Sequence, residues 1–199
     1  MSSLDLYLAS TSPRRCELLT IAGLRFQLCA PGAEYLAGAG HEHASELGDP
    51  RVLAQERARR KGLGATVLSP DIPILAVDTV VDLDGLELGK PRDREQAAAM
   101  LQQLAGRRHL VHTAHFVWLP ASGHRVTQLA SAEVACAEPD PAALQHYLDS
   151  QQWRGKAGSY GVQDDEQAFF RVVSGSFDTV VGLHIAAVRE LLQTVRASS

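Results

Sequence analysis

LDLYLASTSPRRCELLTIAGLRFQLCA (residues 4–30) decides the fold. Leu4–Ala9 is a short, largely apolar run, the signature of a buried strand. Ser12-Pro13 reads as a helix start: Ser caps the first N–H groups and Pro tolerates the first helical position. Leu18, Leu19 and Ala22 form an apolar stripe, and Gly23 is placed to end the helix. Arg25–Ala30 then alternates like a second strand. The order is β-α-β, with Arg14 and Arg15 in the first strand-to-helix turn. In open α/β sheets that turn is a favoured ligand position. The arginines sit at the wrong end of the helix dipole, where cations cost roughly 0.3–1 kcal/mol each. A bound anion reverses that sign: free helix N–H groups take phosphate readily, and Arg adds bidentate contacts.

Outward from this unit, residues 31–48 are rich in Gly, Ala and His and read as a loop. A helix is expected from about Asp49 to Lys61. Ile72–Gly85, IPILAVDTVVDLDG, is a continuous apolar run broken by Asp78 and Thr79. It predicts a buried strand with an irregularity at those residues, followed by an Asp84-Gly85 hairpin turn. A helix over 94–105, strands over 109–119 and 124–136, and a helix over 141–150 follow. Residues 151–169 are Gly-rich and polar, the composition of a functional loop. A strand at FFRVVSG and an amphipathic helix over 182–196 close the chain. Alternating strands and helices with two adjacent long strands imply an α/β fold with a mixed sheet.

The 199 residues suffice for one domain with a real core. Hydrophobic residues make up 45% and charged residues 21%, as in ordinary globular proteins. A net charge of −4 excludes a general nucleic-acid binder, so any basic site must be local. No stretch approaches the roughly 18 apolar residues of a membrane span. No basic region followed by an apolar run marks a signal peptide. Three cysteines, Cys16, Cys29 and Cys136, without CxxC spacing, argue for a reducing compartment. The expected location is the cytoplasm.

Asp78 stands between ILAV and VV, where an isolated carboxylate is rare unless paired or metal-bound. Beside a phosphate site it can hold a divalent cation or orient and deprotonate water. The structural alternative is an Asp satisfying backbone N–H groups at a bulge. Lys90 in GKP, and Lys156 and Gln163 in GKAGSYGVQ, lie in turns that allow close backbone approach. The histidines of HLVHTAH do not form one metal site: His109 and His115 share a strand face about 20 Å apart, and His112 points the other way. Trp118 and Trp153 read as packing residues.

LASTSPRRCELL, DTVVDLDGLELGKPRD, AAAMLQQLAGRRH, WRGKAGSYGVQ and GSFDTVVGL run in the order seen in the Maf family, and the chain resembles that family from residue 4 to about 192. The resemblance implies a single domain over 1–199 with a mixed, strongly bent sheet, flanking helices and two lobes around a deep cleft. It implies a homodimeric pyrophosphatase that uses Mg²⁺ or Mn²⁺ to split a nucleoside triphosphate between its α and β phosphates. Carried over by motif, Ser10, Arg14, Arg15, Lys90 and Lys156 contact phosphate and Asp78 is the catalytic carboxylate. Arg14, Thr79 and Gln163 fall on the specificity positions, and that set resembles the branch acting on dTTP and UTP. A Gln amide matches the O4/N3 edge of a pyrimidine with one donor and one acceptor.

Four positions depart from the family pattern. Tyr35 replaces the family's acidic residue, and the preceding Glu34 is the candidate to join Asp78 at the metal. Arg57 replaces the lysine of the LAxxKA motif and is the expected phosphate contact there. Asp164 replaces a glycine, and His184 replaces the proline of GLP. Tyr35 and Asp164 motivate an alternative: a catalytically weakened nucleotide-binding protein that acts through a partner in cell-division control.

Overall fold

Three of the expected helices are present, and each is capped by an aspartate. Asp49, Asp93 and Asp140 each accept backbone N–H groups from the first turn of the helix that follows. These are α2 (Pro50–Leu63), α3 (Arg94–Leu104) and α4 (Pro141–Asp149). Such a cap contributes about 1 kcal/mol. The helix of the opening unit, α1 (Pro13–Ile21), differs. Ser12 holds the extended cap conformation, but its side chain makes no capping hydrogen bond. The expected Ser12 cap is therefore absent, because the chain here is organised around Ser10, whose Oγ takes the Ser12 N–H at 3.2 Å.

The computed structural model describes residues 4–33, 48–163 and 169–197. Around α1 the expected β-α-β unit is present: β1 (Leu6–Ala9) and β2 (Phe26–Cys29) pair in parallel, Leu6 opposite Phe26. β1 also pairs in parallel with β3 (Ile74–Leu83), Tyr7 opposite Ile74. The remaining pairs are antiparallel: β3 with β4 (Leu86–Leu88) and β5 (Arg108–Leu119), β5 with β6 (His124–Cys136), and β6 with β7 (Phe170–Ser174). The result is a seven-stranded mixed sheet, ordered β2-β1-β3-β5-β6-β7 with β4 beside β3. Asp84 and Gly85 both take positive φ, 53° and 86°, as a type I′ hairpin between β3 and β4 requires.

One expectation fails. β3 has no irregularity at Asp78: it pairs residue for residue with β5 from Ile74–Trp118 to Asp82–Leu110. The polar residues are accommodated by the opposite edge of the strand. The register shift in this sheet lies instead between Glu133 and Val134 of β6.

Strand parity sorts the core. Even residues of β3 and β5 face α2, where Val80, Ala114 and Phe116 meet Ala54 and Ala58. Odd residues face the other helices. Leu75, Val77 and Val117 pack on α6 (Ile185–Ala197) through Val188, Leu191, Leu192 and Val195. Val81, Leu83 and Val111 pack with Leu101, Leu104, Tyr147, Leu148 and Trp153 near α3 and α4. Each fully buried aliphatic side chain contributes roughly 1.5–3 kcal/mol. A short helix that periodicity does not reveal, α5 (Phe177–Val181), precedes α6. Five residues are too few to display a 3.6-residue period.

Candidate functional site

β3 is flanked by β5 on one edge from Ile74 to Asp82, but its other edge is shared. β1 ends its pairing at Ala76, and β4 begins at Val81. Among the described residues, 77–80 therefore have no strand beside them on that edge. Asp78 and Thr79 occupy the gap, on opposite faces of the sheet, and both line one cavity of about 1420 Å³. A carboxylate 4% exposed is thereby placed at the wall of a cleft instead of inside a closed sheet.

The N-terminal end of α1 forms one wall. Arg15 donates from Nε to the Gly182 carbonyl at 2.9 Å, from Nη1 to Ser10 Oγ at 3.1 Å and from Nη2 to Thr79 Oγ1 at 3.2 Å. Thr113 Oγ1 donates to the Thr179 carbonyl at 2.8 Å and lies 3.0 Å from Thr79 Oγ1. With its own proton so used, Thr113 accepts from Thr79, and Thr79 accepts from Arg15. The chain of bonds thus runs one way, from Arg15 to the Thr179 carbonyl. Ser10 Oγ accepts from both Ser12 N and Arg15, which leaves its proton to donate to a ligand. Arg14 makes no ion pair with any described residue and faces the cavity.

α2 forms a second wall. Its Arg57 makes a two-armed ion pair with Glu87 of β4, Nη1 on Oε1 and Nη2 on Oε2, the second at 3.1 Å. One turn later Lys61 Nζ donates to Asp78 Oδ1 at 2.5 Å. The far wall is built from two glycine turns. Gly158 N donates to the Gly89 carbonyl at 3.0 Å, tying the loop of Lys156 to the turn of Lys90. Gly158 holds φ +65°, and a Cβ there would lie 3.1 Å from both Val81 methyls, so glycine is needed for shape and space. Lys156 is buried, while Lys90 and Gln163 are exposed at the cavity rim.

Eight arginines and lysines and three carboxylates line this cavity, in a chain whose net charge is −4. That is the local basic site required by an acidic protein that binds a polyanion. The three carboxylates are Asp49, Asp78 and Glu87, and no histidine or cysteine lines the cavity among the described residues. Neither do the described residues hold any cluster of three or more ligating side chains. Candidate ligands limited to a few carboxylate oxygens fit Mg²⁺ or Mn²⁺, which is bound through one or two carboxylates plus substrate phosphates.

The profile of the Maf-like protein family matches residues 5–195. The chain belongs to the Maf family. A dTTP/UTP pyrophosphatase of Thermus thermophilus is 40% identical over 187 residues, covering 94% of this chain and 92% of that protein. One from Escherichia coli (strain K12) is 38% identical over 195 residues, covering 97% and 94%. One from Yersinia pestis bv. Antiqua is 36% identical over 189 residues, covering 94% and 91%.

Of the motif residues expected from the Maf resemblance, Ser10, Arg14, Arg15, Arg57, Asp78, Thr79, Lys90, Lys156 and Gln163 all line the one cavity. Glu34, Tyr35 and Asp164 lie outside the described residues. The Maf GLP departure is matched within the fold. His184 has the N–H that proline lacks, and it donates to His115 Nε2 at 2.9 Å. Burial holds the His115 imidazole down to a pKa of about 4, so it stays neutral and able to accept. Sequence reasoning missed Lys61, Glu87 and Thr113. Only Lys61 left a trace, four residues after Arg57 on the same helical face. The three histidines are separate, as expected: His109 meets Tyr160 Oη at 2.5 Å, and His112 lies between Asp82 and Ser131. Trp153 is buried and donates to the Leu148 carbonyl at 2.9 Å, a packing role. No helix among the described residues is long and apolar enough to cross a membrane.

Proposed function

We propose that this Maf-family chain is a metal-dependent nucleoside triphosphate pyrophosphatase, hydrolysing dTTP and UTP to the monophosphate and pyrophosphate. The observation that carries the reading is Asp78 on the open edge of β3, inside a cavity whose wall is predominantly cationic. The names of the relatives from Thermus thermophilus, Escherichia coli and Yersinia pestis support the same substrates.

In this reading the triphosphate lies against the uncapped end of α1. Arg14 and the Ser10 hydroxyl contact its oxygens, and Arg15 shapes that wall while presenting its charge. Thr79 acts on specificity through Arg15, which it holds, and Gln163 reads the pyrimidine edge. Asp78 orients a water for attack on the α phosphorus and takes its proton. The bond from the α phosphorus to the bridging oxygen breaks, and that oxygen leaves with the pyrophosphate. Lys90 and Lys156 neutralise the charge that moves onto the leaving group. Arg57 is committed to Glu87 and adds to the field of the wall. Asp78, with Glu34, is the candidate holder of Mg²⁺ or Mn²⁺, which when bound would supply charge neutralisation at the phosphates.

The proposal extends to a cytoplasmic location and a homodimer. Cys16, Cys29 and Cys136 are not joined in disulfides among the described residues, which suits a reducing compartment. Sedimentation at micromolar concentration checks the dimer.

The experiment is a nucleotide panel with Mg²⁺, Mn²⁺ and Co²⁺, resolving monophosphate plus pyrophosphate from diphosphate plus phosphate. UTP and dTTP are expected to give the first pair of products, and only with metal. Tight UTP binding without product under every metal contradicts the reaction and favours the partner-dependent alternative.

A further inference from the structure

We propose that Lys61 is the positioning residue for Asp78 in this chain. The proposal rests on the reading of Asp78 as the carboxylate that activates water. Arg57 and Lys61 stand one turn apart on α2, and both line the cavity. The arginine fork is held by both oxygens of Glu87. A planar guanidinium is matched to that two-point contact, which spends its geometry on β4 instead of β3. The ammonium of Lys61 reaches Asp78 Oδ1 at 2.5 Å, with side-chain exposures of 13% and 6%. Motif position marks residue 57 as a phosphate contact, whereas the geometry puts residue 61 at the carboxylate.

The reach of Lys61 is set by its neighbour. A Cβ at Gly62 would come within 2.5 Å of the Phe116 ring and 3.2 Å of Ala76 Cβ. Only glycine lets the end of α2 lie this close to the sheet. Trp118 Nε1 donates to the Gly62 carbonyl at 3.0 Å and fixes that approach. Lys61 is therefore delivered to the open edge of β3 by a built contact. Holding Oδ1 sets the plane of the carboxylate, and with it the direction in which Oδ2 meets water or metal. A lysine ammonium has three donors on a flexible stem, so it can hold Asp78 and a phosphate oxygen together. It is also a cation already at the carboxylate that a metal must approach.

Two readouts test this on the full chain: UTP steady-state kinetics, and Mn²⁺ titration without nucleotide, followed by electron paramagnetic resonance. Lys61→Met is expected to lower kcat by about 100-fold, the scale of a misplaced reacting group, with KM changed by less than about threefold. The same variant is expected to bind Mn²⁺ more tightly than wild type, because a competing cation has been removed. Lys61→Arg is expected to recover part of kcat. Lys61→Gln, with circular dichroism melting of each variant, guards against misfolding. A kcat within about twofold of wild type, or unchanged Mn²⁺ affinity, overturns the proposal. Loss of fold in both Lys61→Met and Lys61→Gln makes the lysine a structural charge and overturns it too. Wild-type protein that releases no pyrophosphate from UTP refutes the reaction instead, and the Mn²⁺ titration still reports on the Lys61–Asp78 pair.

Discussion

Asp78 and Asp82 stand four residues apart on β3, on the same face, and both are largely buried, with side-chain exposures of 6% and 12%. Each has a basic partner. Asp78 meets Lys61, and Asp82 Oδ2 meets His112 Nε2 at 3.1 Å. His112 Nδ1 in turn lies 2.7 Å from Ser131 Oγ, so the second cluster has the composition of a hydrolase relay. Yet Asp82, His112 and Ser131 line no part of the cavity. The difference lies in the neighbouring strand. Asp82 is opposite Glu87 of β4, and its Oδ1 takes the Gly85 N–H at 2.7 Å to close the hairpin. Asp78 has no strand on that edge among the described residues. Burial and a basic partner thus do not distinguish a working carboxylate from a structural one on this strand, whereas the gap between β1 and β4 does.

The largest test of that contrast pairs two substitutions. Asp78→Asn keeps the shape of the side chain and removes the base, so kcat is expected to fall by about 10³-fold or more. Assay of UTP turnover beside Asp82→Asn gives the comparison. Equal losses in the two variants erase the distinction. The second effect concerns the wall opposite α2. Arg15→Lys keeps the charge but gives up the fork that reaches Gly182, Ser10 and Thr79 together. A drop of roughly 10- to 100-fold in kcat/KM is expected. Unaltered kinetics show that the charge alone suffices there.

Asp82→Asn is expected to act on stability instead. It weakens the bonds to His112 and the Gly85 N–H, at a cost of about 1–2 kcal/mol, while turnover stays within about threefold. Chemical denaturation and the UTP assay read the two parts separately. The mildest test uses the histidines of β5. Burial lowers both His109 and His115 to about 4, from 6.5. Their folded values lie below the unfolded one, so the unfolded chain binds more protons as pH falls. Stability is complete above about 6.5 and is lost progressively towards 4, by up to ~3 kcal/mol for each histidine. Denaturation midpoints from about pH 7 to about pH 4 check this, and His109→Phe is expected to flatten the slope. A slope unchanged by that substitution removes His109 as a source.

Much of this molecule is legible in the linear chain. The β-α-β unit, the Asp84-Gly85 hairpin and the long strands follow from local patterns that tertiary packing reinforces. The motif residues from Ser10 to Gln163 stand out along the sequence, and one cavity gathers them. The failures are equally physical. A polar residue in an apolar run signals irregularity, yet Asp78 leaves its strand unbroken. It is tolerated because the open edge lies on the side away from β5, which no sequence window reveals. Ser12 has the right identity for a cap, but Ser10 organises the turn. Motif position points to Arg57, and its capture by Glu87 depends on where the hairpin places β4. Lys61 is inconspicuous as the last basic residue of a helix, a position that the helix dipole already favours. Its contact with Asp78 depends on the fit between Gly62 and Phe116, a tertiary fact.

The most direct measurement is phosphorus NMR of UTP with Mg²⁺, comparing wild type with Asp78→Asn. The account predicts UMP and pyrophosphate from the wild type, and unchanged UTP from the variant over the same interval. UDP and phosphate as products, or equal turnover by the variant, contradicts it.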